Sequence, residues 1–213
     1  MAGVPLPEIA RAHGIRWNPK GPASNKSYAG DVVEAALGKG KDSSPHRDLQ
    51  YAEVKTIPIK PDLSVREHTK LTHFTFDEVF NQHWYESRAY QKSRVVLFAP
   101  VVKAVLGRPD DWYIHSPFLW MPTEEDDELL RRDYELAQSI LKSGDMTRLS
   151  SAKPPNGEFQ ILIPNTGGTG KKDLTHFRSS GTEMRPKRRA WMLRKDFTGP
   201  IVRANIAYSP GQD

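Results

Sequence analysis

The sequence predicts an α/β chain, with a mixed, mostly antiparallel sheet of about five strands flanked by helices. Three observations carry this. Runs of strand-forming residues recur at 49–57, 71–76, 94–102 and 158–163. Helical patterns with capping signals stand between them at 27–38 and 123–142. The 213 residues suffice for a substantial core, and a hydrophobic content of 37% is modest but globular.

Residues 1–25 hold Pro5, Pro7, Pro19 and Pro22, which leave room for one short helix near Pro7 to His13. Ser27 is placed to cap the next helix and Gly38 to end it. Val33, Ala36 and Leu37 share one face of that helix and Glu34 borders it. Lys39 to Pro45 is a Gly/Ser/Lys loop. Arg47 to Ile57 reads as a strand entered from a turn, with Pro58 stopping the run. Side chains alternate on a strand, so Glu53 and Lys55 project to one side, about 7 Å apart along the chain. Asp48 sits at the mouth of the strand.

Pro61 to Arg66 is a turn, and Leu71 to Phe76 alternates as a second strand expected to pair with the first. Asp77 to Tyr90 starts helical and becomes loop. Arg94 to Val102 is a buried strand, and Lys92 and Arg94 beside it read either as phosphate contacts or as a solvated strand end. Thr123 caps the clearest helix, which runs to about Lys142 before Gly144, with Leu130, Tyr134, Ala137 and Leu141 on one face. Glu158 to Ile163 is another strand. Pro164 to Lys172 is a Gly-rich basic loop. It lacks the leading Gly and the Ser/Thr after Gly-Lys that a P-loop needs, so ATP binding is rejected. Arg185 to Arg189 is a basic run, and a last helix is expected near Thr198 to Tyr208.

Composition excludes several classes. There is no cysteine, so neither disulfides nor thiolate metal sites exist. The seven histidines show no H-E-x-x-H or H-x-x-x-H pair, against a zinc hydrolase. No apolar run approaches a membrane span and no signal-peptide core is present, so a cytoplasmic protein is expected. The formal charge is +5, but residues 165–203 alone carry ten Lys/Arg against three Asp/Glu, which leaves the remainder at −2. A basic C-terminal segment with interleaved Phe177, Trp191, Met192, Leu193 and Phe197 is the footprint of a nucleic-acid binder.

Glu34, Asp48, Glu53 and Lys55 together are the residue types a metal-dependent phosphodiesterase needs. Carboxylates hold a hard divalent cation, and an ammonium adds positive charge near the phosphate. Alone, D-x4-E-x-K is a common pattern and also describes a solvated strand edge.

The flanking residues are more specific. Lys26 to Gly38, then Asp48, then Glu53-Val54-Lys55-Thr56-Ile57-Pro58, resemble the family that joins MutH to the Sau-type restriction endonucleases. The resemblance resumes at Ser116 to Asp126 and at Leu193 to Thr198, and so spans most of the chain. It implies a PD-(D/E)xK restriction-endonuclease-like fold with a two-lobed DNA cleft: one domain over 1–213, with a catalytic lobe at about 1–115 and a DNA-recognition lobe at about 116–213. Asp48 and Glu53 would be metal ligands, with the Val54 carbonyl as a third. Lys55 would be the catalytic lysine, Glu34 the helix carboxylate and Lys26 the family's lysine ahead of that helix. The Asp48-to-Glu53 spacing is two residues shorter than the family pattern, so the turn between them must be tighter.

The implied activity is Mg2+-dependent hydrolysis of double-stranded DNA at a short site, leaving 5′-phosphates, with Mn2+ able to substitute. Within that class a type II restriction endonuclease acting as a homodimer is expected. The alternatives are a mismatch-repair nickase working under a partner ATPase and, from another class, a catalytically silent DNA-binding module. Asn165, Thr166, Thr169, Lys171 and Lys172 are expected to read DNA, with Arg185, Lys187, Arg188, Arg189 and Met192 beside them. The family's GATC readers are expected to carry an arginine where this chain has Ile163 and a methyl-sensing tyrosine where it has Met192.

Overall fold

The strand at the centre of these expectations forms as β1, Glu53–Ile59, in a computed structural model that describes residues 3–39, 48–105, 107–145, 148–149, 158–166, 177–179, 182–184 and 189–207. Pro58 lies inside β1 rather than ending it. Among the described residues the only strand that β1 pairs with is β3 (Val96–Lys103); on its other edge the Pro58 carbonyl accepts the Arg66 N–H at 2.9 Å, and a residue with no N–H is tolerated there.

The β1–β3 pair is parallel, from Glu53↔Val96 to Ile59↔Val102. β4 (Trp112–Ile114) and β5 (Phe118–Trp120) both run antiparallel to β3, against its last and first residues respectively. Pro100 falls in the gap between them, and its carbonyl accepts the His115 N–H at 2.9 Å. Helices α1 (Leu6–Ala12) and α2 (Tyr28–Ala36) cover the sheet, with Leu6, Ile9, Ala29, Val32 and Val33 sharing a core with Val54, Ala99, Val101 and Ile114. Ser27 precedes α2 but its side chain caps no backbone N–H. Its dihedrals are already helical, and its hydroxyl donates to Asp31 instead at 3.3 Å.

A parallel pair requires a crossover, because a tight hairpin reverses direction. The chain turns back after β1 for a single bridge, Ile59↔Val65, and then leaves. The next strand, β2 (Thr69–Phe74), is therefore not the partner of β1, as the sequence suggested. It joins β9 (Arg189–Leu193) and β6 (Leu162–Thr166) in a separate three-stranded sheet. Two short helices follow β2: α3 (Phe76–Asn81), where the segment was expected to start helical, and α4 (Arg88–Ser93), where loop was expected. β7 (Phe177–Ser179) and β8 (Thr182–Met184) form a hairpin pair of their own.

The chain packs as two compact units that interleave in sequence rather than dividing near residue 115. One comprises 1–69, 95–120 and 195–213, the other 70–94 and 121–194. In the first, α6 (Lys195–Ala207) begins three residues before its expected start and carries Pro200 within it. The second is built on α5 (Glu124–Ser143), whose Thr123–Asp126 capping box, acidic first turn and left-handed Gly144 match the sequence pattern. Leu130, Tyr134, Ala137 and Leu141 are buried on it as expected. Among the described residues no helix is long and apolar enough to cross a membrane.

Asp133 holds the second unit together at a point the sequence did not flag. It is buried on α5 and accepts the backbone N–H groups of Gln160, Ile161 and Leu162 at 2.8, 2.7 and 2.7 Å. Those donors are taken before the strand ladder begins, which is why β6 starts at Leu162 and not at Glu158. Replacing Asp133 by Ala strands two buried donors and one part-buried one. The expected loss is about 3 kcal/mol or more of stability, read from the midpoint and slope of urea denaturation, with Asp133→Asn losing less because one acceptor oxygen remains.

Candidate active site

The ionisable groups collect at the N-terminal end of β1. Residues 48–51 form a run of bends closed by the Leu49 N–H on the Ala52 carbonyl at 2.8 Å. Asp48 Oδ2 accepts the Val54 N–H at 3.0 Å and so pins the bend to the strand. This is the tight turn that the shortened spacing demanded. It leaves Tyr51, grouped with the strand in the sequence, exposed.

Glu53 and Lys55 share a face of β1, and Lys55 Nζ donates to Glu53 Oε1 at 2.5 Å while lying 3.7 Å from Asp48 Oδ2. Glu53 is 1% exposed, and a carboxylate so buried is tolerated because it is paired. Glu34 projects from α2, beside the helix face packed on the sheet. The four residues singled out from the sequence are thus linked in one cluster through their lysine and carboxylate contacts.

A fifth member was missed. Lys39 was read as part of a loop, yet its ammonium makes a short ion pair with Asp48 Oδ1 and lies 3.9 Å from Glu34 Oε2, with its side chain 11% exposed. Its own N–H donates to the Glu34 carbonyl at 2.9 Å. Gly38, with φ +76°, makes the left-handed turn that folds Lys39 back over the helix end. That glycine one position before a lysine was the available signal.

These contacts push two carboxyl groups in opposite directions. Burial raises the Asp48 carboxyl, but the hydrogen bond from Lys39, the charge of Lys55 and the Val54 N–H outweigh it and hold it below its ordinary 3.8. For Glu34, burial dominates and raises the carboxyl above its ordinary value. The nearby Asp48 charge adds to that, while Lys39 and Lys55 oppose it.

The donor set suits a hard cation. Asp48 and Glu53 offer carboxylate oxygens, and the Val54 carbonyl leaves the strand from the same edge as the N–H bonded to Asp48. Among the described residues no three carboxylates or histidines converge on one point. Two carboxylates plus a carbonyl, with water completing the shell, is the kind of site Mg2+ favours.

The other expected site residues are more dispersed. Lys26 is exposed, following a short 3-10 turn at Pro22–Asn25. Arg94 pairs with Asp127 at 3.3 Å and lies over the Tyr90 ring with its side chain 38% exposed, whereas Lys92 is buried and so is not an open phosphate contact. Arg189 is buried too and donates to the Leu149 and Pro164 carbonyls at 2.8 and 2.9 Å. It is a structural clamp rather than a DNA-facing residue. Ile163 and Met192, the two departures from the family pattern, stand directly opposite each other in the β6–β9 ladder. Ile163 is 1% exposed and Met192 half-buried. Asn165 is half-buried on β6, and Thr166 ends that strand. Thr169, Lys171, Lys172, Arg185, Lys187 and Arg188 lie outside the described residues.

A family model described as DNA mismatch repair enzyme MutH matches residues 37–133, a span that contains Lys39, Asp48, Glu53 and Lys55. The DNA mismatch repair protein MutH of Shewanella baltica strain OS195 is 28% identical over 205 residues, 95% of this chain and 89% of its own. Those of Shewanella sp. strain ANA-3 and Shewanella woodyi are each 27% identical over 95% of this chain, covering 89% and 86% of theirs. The chain is thus similar to MutH proteins along most of its length, which supports a MutH-like nuclease. Within a MutH-like protein the cluster at the head of β1 is the candidate active site, and α5 lies inside the same matched span up to residue 133.

The lowered Asp48 carboxyl makes a pH prediction. A group whose folded value is depressed contributes stability above its unfolded value and loses it as pH falls through the folded one. In EDTA, Asp48→Asn is therefore expected to melt below the parent protein at neutral pH, with the gap closing as pH falls below the ordinary 3.8. A gap independent of pH across that range would mean Asp48 acts by shape, not charge.

Proposed function

We propose that the protein is a Mg2+-dependent DNA endonuclease of the mismatch-repair type, nicking one strand of duplex DNA and leaving a 5′-phosphate. The observation that carries this is the convergence of Asp48, Glu53 and Lys55 at one strand end, with Glu34 alongside. The fold this implies is the PD-(D/E)xK nuclease fold. A bound divalent cation would activate water, polarise the phosphodiester and stabilise the departing oxyanion.

The chain's own residues divide the remaining work. Asp48, kept ionised by its neighbours, and the buried Glu53 are the anionic ligands. The Lys55 ammonium sits between their carboxylates, 2.5 Å from Glu53 and 3.7 Å from Asp48, where it can orient the attacking water and balance negative charge growing on the phosphate. Glu34 has the raised carboxyl and is a better proton acceptor than Asp48. Two acids whose environments drive them apart take different roles.

Relatives named as mismatch-repair proteins align over 95% of this chain, which favours the nicking reading over the type II restriction enzyme and homodimer expected from the sequence. A mismatch-repair ATPase is then the natural partner. The unit holding residues 3–69 carries catalysis, and base reading belongs to the other, which holds the 164–189 segment.

The test uses supercoiled plasmid with Mg2+, Mn2+ or EDTA. Nicked circles with either metal and no cleavage in EDTA are expected, whereas linear product as the first species would restore the restriction reading. Asp48→Ala should abolish cleavage while preserving DNA binding. Lys55→Ala should lose on the order of 10²-fold or more in rate with little change in affinity. Cleavage by Asp48→Ala at the parental rate would remove the site assignment.

Specificity follows from β6 and β9. Ile163 is apolar and buried, so it cannot make the bidentate guanine contact an arginine would, and Met192 has no hydroxyl and yields to a methyl group. Asn165, Thr166, Thr169, Lys171 and Lys172 are left to read bases. The expected outcome is a target other than plain unmethylated GATC, or GATC cut regardless of adenine N6-methylation. Matched methylated and unmethylated duplexes beside a random-sequence library decide it, and cleavage confined to unmethylated GATC would refute it.

A further inference from the structure

We infer that Lys39 is a tethered counter-cation that occupies Asp48 Oδ1 in the metal-free site and must release that oxygen before a divalent cation binds. The inference rests on the metal-dependent reading above and adds a residue to it.

The geometry of Asp48 carries the point. Oδ2 is committed to the Val54 N–H at 3.0 Å, with Lys55 Nζ at 3.7 Å. Oδ1 is the oxygen left for a metal, and the Lys39 ammonium holds it by a short, charge-assisted contact. Lys39 is not a surface lysine resting on an acid. It is 11% exposed, it reaches Glu34 Oε2 at 3.9 Å, and its backbone is bonded to the same helix end.

Charge gives the contact a purpose. Glu34, Asp48 and Glu53 are linked through Lys39 and Lys55 rather than converging on one point, and Lys55 alone would leave two of their three negative charges uncompensated. Carboxylates at such distances repel unless paired. Lys39 compensates one of those two charges. A divalent cation would place its positive charge at the same oxygen, so the two compete. A long flexible side chain can withdraw without moving the backbone, and the vacated ammonium is then free for a phosphate.

The experiment measures Mn2+ binding to the full chain without DNA, by the electron paramagnetic resonance signal of free Mn2+. Lys39→Met is expected to bind Mn2+ roughly three- to tenfold more tightly than the parent, the range of a partly screened ion pair, and Lys39→Arg no more tightly than the parent. A merely structural lysine would give the opposite sign, since its loss would loosen Glu34 and Asp48. Unchanged or weaker binding by folded Lys39→Met overturns the inference.

The unsubstituted protein gives a second measurement that needs no variant to fold. Labelling of Lys39 by an amine-reactive reagent, followed by peptide mass spectrometry, should rise when Mg2+ is added, and unchanged labelling also overturns it. Asp48→Asn separates the two levels. If the parent binds no Mn2+, or Asp48→Asn binds it equally well, the metal reading fails and takes the inference with it. If Asp48 matters and the Lys39 results are flat, only the inference fails.

Discussion

Asp48 accepts a backbone N–H through one oxygen and an ammonium through the other, and the shape of the active end of β1 follows from those two bonds. The first fixes a short bend against the strand, so that a carboxylate five residues before Glu53 ends beside it and not a loop's length away. The second draws Lys39 and the end of α2 into the same cluster and brings Glu34 with them. A longer turn would not need so firm a pin. The shortened spacing and the Val54 N–H bond are one feature seen in sequence and in space.

The scaffold beneath that cluster is set by the parallel pairing of β1 and β3. Parallel strands cannot be joined by a hairpin, so residues 60–95 must make an excursion, and most of that excursion belongs to the other unit. This is why both compact units are discontinuous and why a boundary read as a single cut near residue 115 cannot describe them. Both strands also contain a proline, each where a missing donor does little harm. Pro58 lies on the edge of β1 away from β3, where only its carbonyl is bonded, and Pro100 falls where β5 has ended and β4 has not begun.

Much of this was legible in the sequence, for identifiable reasons. Capping boxes, acidic first turns and terminal glycines are local signals, and α5 fell where Thr123 and Gly144 placed it. The i, i+2 relation of Glu53 and Lys55 is a property of any strand, and the tight bend followed from counting residues. What failed depended on long-range partners. Nothing local to Leu71–Phe74 says that it pairs with Arg189–Leu193 instead of with the preceding strand. Nothing in the charge of Asp133 says that it points inward and caps three amides. Lys39 was hidden for the same reason, since a lysine in a Gly/Lys loop reads as solvated until the fold brings Asp48 to it.

The basic segment shows how counting charge differs from using it. The ten Lys/Arg of residues 165–203 carry the footprint of a nucleic-acid binder. Arg189 is instead buried against two carbonyls, and Arg194 donates to the Phe159 carbonyl at 2.8 Å. Cations committed to backbone acceptors inside a core release no counterions when DNA binds. Lys92, buried, contributes little for a related reason. On the proposed reading, the burden of phosphate contact in this unit therefore shifts to Lys171, Lys172, Arg185, Lys187 and Arg188, which neighbour β6 and β9 in sequence, while the buried Arg189 and the half-buried Arg194 are bonded to backbone carbonyls. Positioning and contact are performed by different cations of one run, and composition alone cannot distinguish them.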